Sequence, residues 1–196
     1  ILARNLWIRT LKGELPLSKE LVSALEQGGF PVNCSSYQMI LVRMVSVSEG
    51  EESEEALLPT QADEAVRAES VRVQLEEYMK EIGRMHYFAE DGFGIAGLVE
   101  TREETEQERY TMLGSVKTMI QKKVRTQIGV FGGNVHRTLA DMAQAYQEAG
   151  QVADYAALVE DYDSVYLYGY NAKLLEHPDV LGSDDLEKMH RLSVCL

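Results

Sequence analysis

The residues best equipped for chemistry lie in one short stretch, YFAEDGFGIAGLV, at positions 87–99. Adjacent carboxylates at Glu90 and Asp91, followed by Gly92, could hold a divalent cation and a phosphate. Hard cations take oxygen ligands, and a glycine lets backbone approach a phosphate closely. The same residues could equally be a turn. Asp-Gly is a dipeptide with a strong hairpin preference, and the runs RMHYFAE and FGIAGLVET on either side have the composition of strands. Glu90, Asp91 and Gly92 are therefore the candidate ligand-binding residues, and the turn is the simpler assignment for them.

Other patterns carry less. GVFGGN (129–134) lies between a strand-like run and a helix-like one, but it lacks the Lys-Ser/Thr ending of a phosphate-binding loop and the GxGxxG spacing, so it reads as a connecting loop. His86, His136, His177 and His190 are dispersed, with no HxxxH or HExxH pair, so no metal site is expected. Asp161 and Asp163 fall at an element boundary, where carboxylates cap and solvate turns. No GxSxG elbow exists, and neither Cys34 nor Cys195 neighbours a histidine that would activate it. No catalytic residue is assigned, and no cofactor is expected.

The elements that would position these residues follow from periodicity. ILARNLWIRTLKG (1–13) is helix-forming and ends at Gly13, a C-cap. At 100° per residue, Leu2 and Leu6 point one way while Trp7, Ile8 and Leu11 point another. A surface helix normally has one apolar stripe, so Leu6, Trp7, Ile8 and Leu11 are candidate interface residues, for a second chain or for a segment upstream. Ser18 caps a second helix that Gly28, Gly29 and Pro31 stop. YQMILVRMVSV (37–47) reads as a central strand, and the acidic SEGEESEEALLPTQ that follows reads as a solvated loop. Val71, Leu75, Tyr78, Met79 and Ile82 mark the inner face of a helix from about 63 to 82. After the hairpin, Thr101 and Glu104 suggest a capping box for a helix whose inner face is Leu113, Val116, Ile120 and Val124. IGVFG (128–132) is a strand, Thr138 opens another helix, and SVYLYGY (164–170) is a last strand. Strand-helix-strand, strand-helix-strand is the ferredoxin-like order, an α+β antiparallel sheet with both long helices on one face.

In this order and in these local runs, the chain resembles a GGDEF domain. The resemblance rests on the hairpin at 84–99, on ILVRMVSV, and on IGVFGGNVHRTLADMAQAYQEA. The resemblance implies a nucleotidyl-cyclase-like fold whose hairpin tip carries Gly-Gly-Asp/Glu-Glu-Phe and whose first strand ends in a metal-binding Asp. Here the nearest register is AEDGF. Ala89 and Glu90 replace the glycines, Gly92 replaces the glutamate, and Met44, Val45, Ser46 and Val47 occupy the region of the strand-end Asp. The implied module is degenerate and non-catalytic. The flanks LWIRTLKGELP and QGGFPV and the terminal DDLEKMHRLSVCL are similar to those of large AraC-type regulators of Gram-positive bacteria. In that group such a module joins a sensor or receiver to paired helix-turn-helix motifs. The implied division is 1–30 linker and dimerisation helices, 31–175 the GGDEF-like domain, and 176–196 a linker helix toward a DNA-binding domain, with both ends cut from something longer.

Composition sets outer bounds. The 196 residues are 45% hydrophobic, enough for one core. A net charge of −13, from 19 basic against 32 acidic residues, would repel a phosphate backbone, so DNA contact belongs to a domain outside this segment. Two distant cysteines suit a reducing, cytoplasmic compartment, and no run approaches the roughly 18–20 apolar residues of a membrane span. The expected function is signal transmission within a homodimeric transcription regulator. The alternatives are a nucleotide-binding or cyclase-like enzyme with altered site residues, and a plain dimerisation scaffold.

Overall fold

The computed structural model describes residues 2–45, 61–158 and 160–170. The acidic loop, the end of the first strand beyond Val45 and the C-terminal linker helix expected at 176–196 lie outside the described residues. The chain runs α1 (Leu2–Leu11), α2 (Lys19–Gln27), β1 (Tyr37–Met44), α3 (Gln61–Glu81), β2 (His86–Glu90), β3 (Gly94–Glu100), α4 (Glu106–Val124), β4 (Ile128–His136), a 3-10 turn at Leu139–Asp141, α5 (Met142–Leu158) and β5 (Val165–Leu167).

The five strands form one sheet in the order β2-β3-β1-β4-β5. The first four are antiparallel neighbours in the ferredoxin-like arrangement, while β5 adds to β4 in parallel. The sheet is therefore mixed, which corrects the wholly antiparallel expectation. A parallel neighbour needs a crossover, and α5 supplies it. The fold is α+β, with five helices and a five-stranded sheet among the described residues.

β1 is buried on both faces, as its continuous apolar run requires. Ile40 and Val42 meet Val71, Leu75 and Met79 of α3 and Leu113, Val116 and Ile120 of α4. Met39 and Leu41 belong to the opposite layer, with Met142, Ala145 and Ala149 of α5 and Trp7, Ile8 and Leu11 of α1. Alternate residues of one strand thus anchor two cores.

The expectation that Trp7, Ile8 and Leu11 meet a second chain is corrected by this layer. All three are buried within their own chain, and Trp7 is fully enclosed. Its ring lies edge-on to Tyr87 at 5.2 Å and tilted to Phe30 at 5.9 Å, with Phe30 and Tyr87 themselves 5.2 Å apart. The second apolar direction of α1 is the outer one, where Leu2 is 73% exposed and Leu6 is partly exposed. Angular spacing separates the two stripes of α1 but does not distinguish which of them faces the sheet. Gly28 lets α2 sit against α1, since a Cβ there would fall 2.3 Å from that of Ala3.

Two local expectations also shift. The capping box of α4 is Thr105 with Glu108, not Thr101 with Glu104. Thr101 instead donates its hydroxyl to Ser36 Oγ at 2.8 Å, and Glu104 accepts from Arg84 at 2.6 Å, so both are tied to the sheet before the helix begins. The glycines of GVFGGN are strand residues of β4, not a loop. A Cβ on Gly133 would meet the carbonyl oxygen of Ala145 at 2.7 Å, so α5 packs directly on the backbone there.

Trp7 is the only tryptophan. Its native emission is expected to be blue-shifted even at high dilution, and Trp7→Ala should cost about 3–5 kcal/mol in urea unfolding. Red, solvent-like emission from the folded protein would place the ring outside the core.

Candidate functional site

Asp91, Gly92 and Phe93 connect β2 to β3. The Asp91 N–H donates to Gly94 O at 3.1 Å and closes the turn. Gly92 has φ +92°, a left-handed conformation that glycine adopts without strain. Gly94 is fixed for a different reason: a Cβ there would lie 2.1 Å from Val42 O, so the hairpin lies flush on β1.

The acidic pair does not make one site. Successive residues of a strand project to opposite faces, and Asp91, just past the end of β2, continues this alternation. Glu90 is exposed on the α3 side. It lines a cleft of about 300 Å³ with Met44, Val45, Glu64, Arg67, Phe93 and Thr126. Asp91 is directed to the α5 side, and its side chain is fully enclosed.

The carboxylate of Asp91 is engaged from three directions. Arg43 of β1 donates twice, at 3.2 Å and 2.8 Å, in the two-pronged geometry that guanidinium favours. Tyr146 of α5 donates its hydroxyl at 3.0 Å, and the Phe93 N–H donates at 3.0 Å. In addition, Lys12, just past α1, donates to the main-chain oxygen of Asp91 at 2.9 Å. Burial, and then the neighbouring Asp91 charge, push the Tyr146 hydroxyl up to about 12, so it stays a donor at neutral pH. A second cleft, about 620 Å³, opens beside this cluster between Arg43, Phe93, Tyr146, Gly150, Ala153 and Tyr162. The Phe93 ring stands at the rim of both clefts.

A second buried carboxylate lies at the other end of β4. Glu148 accepts from the Asn134 N–H at 2.9 Å and from Gln144 at 3.1 Å, and it pairs with His136 Nε2 at 3.0 Å. Burial raises the carboxyl's pKa, but the bonds from His136, Asn134 and Gln144 outweigh that and hold it below its ordinary value. The dispersed histidines gave no sign of this pair, because the contact joins residues 12 apart across a strand and a helix. Asp161 and Asp163 do what their boundary position suggested: Asp161 accepts from the Asp163 N–H at 3.0 Å and from Tyr166 at 2.7 Å. Among the described residues no group of three or more His, Cys, Asp or Glu could hold a metal ion, and no helix is long and apolar enough to cross a membrane.

A four-stranded ferredoxin-like core, two helices on one face and a β2–β3 hairpin tip beside the end of β1 define a nucleotidyl-cyclase-type α+β domain. The GGDEF-like domain family matches residues 12–155, and the chain belongs to it. No curated protein matches the chain.

Substitutions at Arg43, Asp91 and Glu148 probe the two buried carboxylates. Arg43→Met should leave Asp91 enclosed and uncompensated, costing about 3–5 kcal/mol, and Arg43→Met with Asp91→Leu should recover much of it. Chemical denaturation measures both, and a single variant as stable as wild type would show that the pair is not buried in solution.

For Glu148, a depressed folded-state pKa means a contribution that is present above the ordinary value of 4.5 and lost as pH falls through the folded one. Glu148→Gln should therefore flatten the decline of stability below pH 4.5. An unchanged slope in urea titrations across that range would remove Glu148 from the acid response.

Proposed function

We propose that this GGDEF-like domain is a non-catalytic regulatory module of an AraC-type transcription regulator, transmitting a signal from an upstream sensor to a C-terminal helix-turn-helix domain. One observation carries the non-catalytic part: the hairpin carboxylate nearest the family's acidic position, Asp91, faces inward and is saturated by Arg43, Tyr146 and its own turn. A carboxylate so engaged has no lone pairs to offer a cation in the cleft on the other face. That cleft has Met44 and Val45 where the end of β1 meets it, and its carboxylates, Glu90 and Glu64, come from the hairpin and α3. Among the described residues, two carboxylates in a lining that also includes the cationic Arg67 are a poor cage for magnesium, which demands near-octahedral oxygen coordination.

The regulator context rests on the flanking runs LWIRTLKGELP, QGGFPV and DDLEKMHRLSVCL and on the acidic net charge, which assigns DNA contact to another domain. Pairing of two copies would use the outer stripe of α1, Leu2 and Leu6, since the inner stripe is consumed by the core. Localisation in the cytoplasm goes with this reading.

Purified protein incubated with GTP and magnesium or manganese is expected to form no cyclic dinucleotide detectable by mass spectrometry. Turnover that disappears in Glu90→Gln, an exposed substitution that leaves the core intact, would establish the enzyme instead. For the regulator context, the reading frame downstream should encode paired helix-turn-helix motifs, and a frame without them ends that assignment.

A further inference from the structure

α1 is fastened to the domain at three levels. Near its start, Arg4 donates to Glu76 of α3 at 3.0 Å, and Glu76 also accepts from Arg72 at 2.5 Å. In its middle, Trp7 fills the aromatic niche of Phe30 and Tyr87. Just past its end, Lys12 donates to the main-chain oxygen of Asp91. The first two contacts hold the helix against the sheet. The third is different, because Asp91 also bonds β1 and α5 through its side chain.

We propose that Asp91 is a mechanical junction: displacement of the C-terminal end of α1 is relayed through the Lys12–Asp91 bond to Arg43 and Tyr146, and so resets the cleft between Phe93 and α5. This rests on the regulatory reading above and names the contact that does the transmitting. Four features support it. The relay is short and polar, and the Arg43 and Tyr146 steps are directional bonds to an enclosed carboxylate, so a shift of Asp91 is carried to both partners. The turn that carries Asp91 is anchored below by Gly94, flush on Val42, which confines its movement to the tip. The tip itself bears Phe93, 73% exposed, with its ring 5.9 Å from Lys12 Nζ and 6.0 Å from the Arg43 guanidinium, so the ring is placed by the same two cations. Finally, Phe93 borders both clefts, and a movement of the tip would widen one at the expense of the other. Coupling of this kind is reciprocal, so perturbing α5 must be felt at α1.

The test is amide hydrogen exchange in the 196-residue protein as wild type, Lys12→Met, Tyr146→Phe and the double variant, with Arg9→Met as control because Arg9 pairs with Glu14 in solvent. The Leu41 amide in β1 reports global opening and serves as the reference. Relative to it, Lys12→Met is expected to speed exchange at Phe93, whose N–H is held by Asp91, by about threefold or more. Tyr146→Phe is expected to do the same at Lys12 and Glu14, whose N–H groups close the end of α1 on Ile8 and Arg9. The double variant should be non-additive, and Arg9→Met should leave the hairpin unchanged. Exchange at α1 that ignores Tyr146→Phe, or effects that simply add, would overturn the junction. The outcome is independent of the cyclase assay: coupling found in an active enzyme would refute the non-catalytic reading alone, and additive effects in an inactive protein would refute the junction alone.

Discussion

The buried pairing of Arg43 with Asp91 is the constraint around which this domain is arranged. An enclosed carboxylate is tolerated only when its charge is matched and its lone pairs are filled, and here the filling is shared among β1, the β2–β3 turn and α5. Each of those elements is thereby committed to one position relative to the others. The same engagement turns Asp91 away from the cleft that Glu90 lines. A single electrostatic requirement thus shapes both the packing and the chemistry of the hairpin.

Around that pair, the sheet separates two kinds of core. The face toward α3 and α4 is mainly aliphatic, from Ile40, Val42, Val71 and Leu75 to Val116 and Ile120, with Phe88 and Tyr170 as its buried aromatic residues. The opposite face holds the aromatic residues Trp7, Phe30, Tyr37, Tyr87, Phe131 and Tyr166, several of which carry polar atoms. Tyr37 donates to Thr138 O at 2.8 Å and Tyr166 to Asp161 at 2.7 Å, so this layer is oriented by bonds as well as by contact area. Gln38, buried between the layers, donates to Gly133 O at 2.7 Å where β4 slips register against β1. The irregularity of the ladder is met by a side chain, which gives the Gly133 oxygen a donor there.

Much of this architecture was legible in the sequence because it is periodic. The apolar run in YQMILVRM, the helical spacing of Val71, Leu75 and Met79, and the Asp-Gly turn all report local geometry, and the ferredoxin-like order follows from their succession. What was hidden is long-range. Nothing local distinguishes an Asp91 that accepts from Arg43, 48 residues away, from one that faces solvent. Strand alternation alone would have separated Glu90 from Asp91, since neighbours in an extended chain cannot share a face. The glycines at 132 and 133 looked like a loop because close helix packing and turns use the same residue. The Thr105–Glu108 box sat one turn beyond a decoy with the same spacing at Thr101–Glu104.

The described sheet ends in short strands, β2 with five residues and β5 with three. A sheet edge recruits other chains by offering a row of unpaired backbone donors and acceptors, and its reach is set by the length of that row. β5 offers little more than one repeat of the ladder, and β2 is flanked by α1 and α3. Continuation of this sheet from one molecule into the next is therefore disfavoured at both margins.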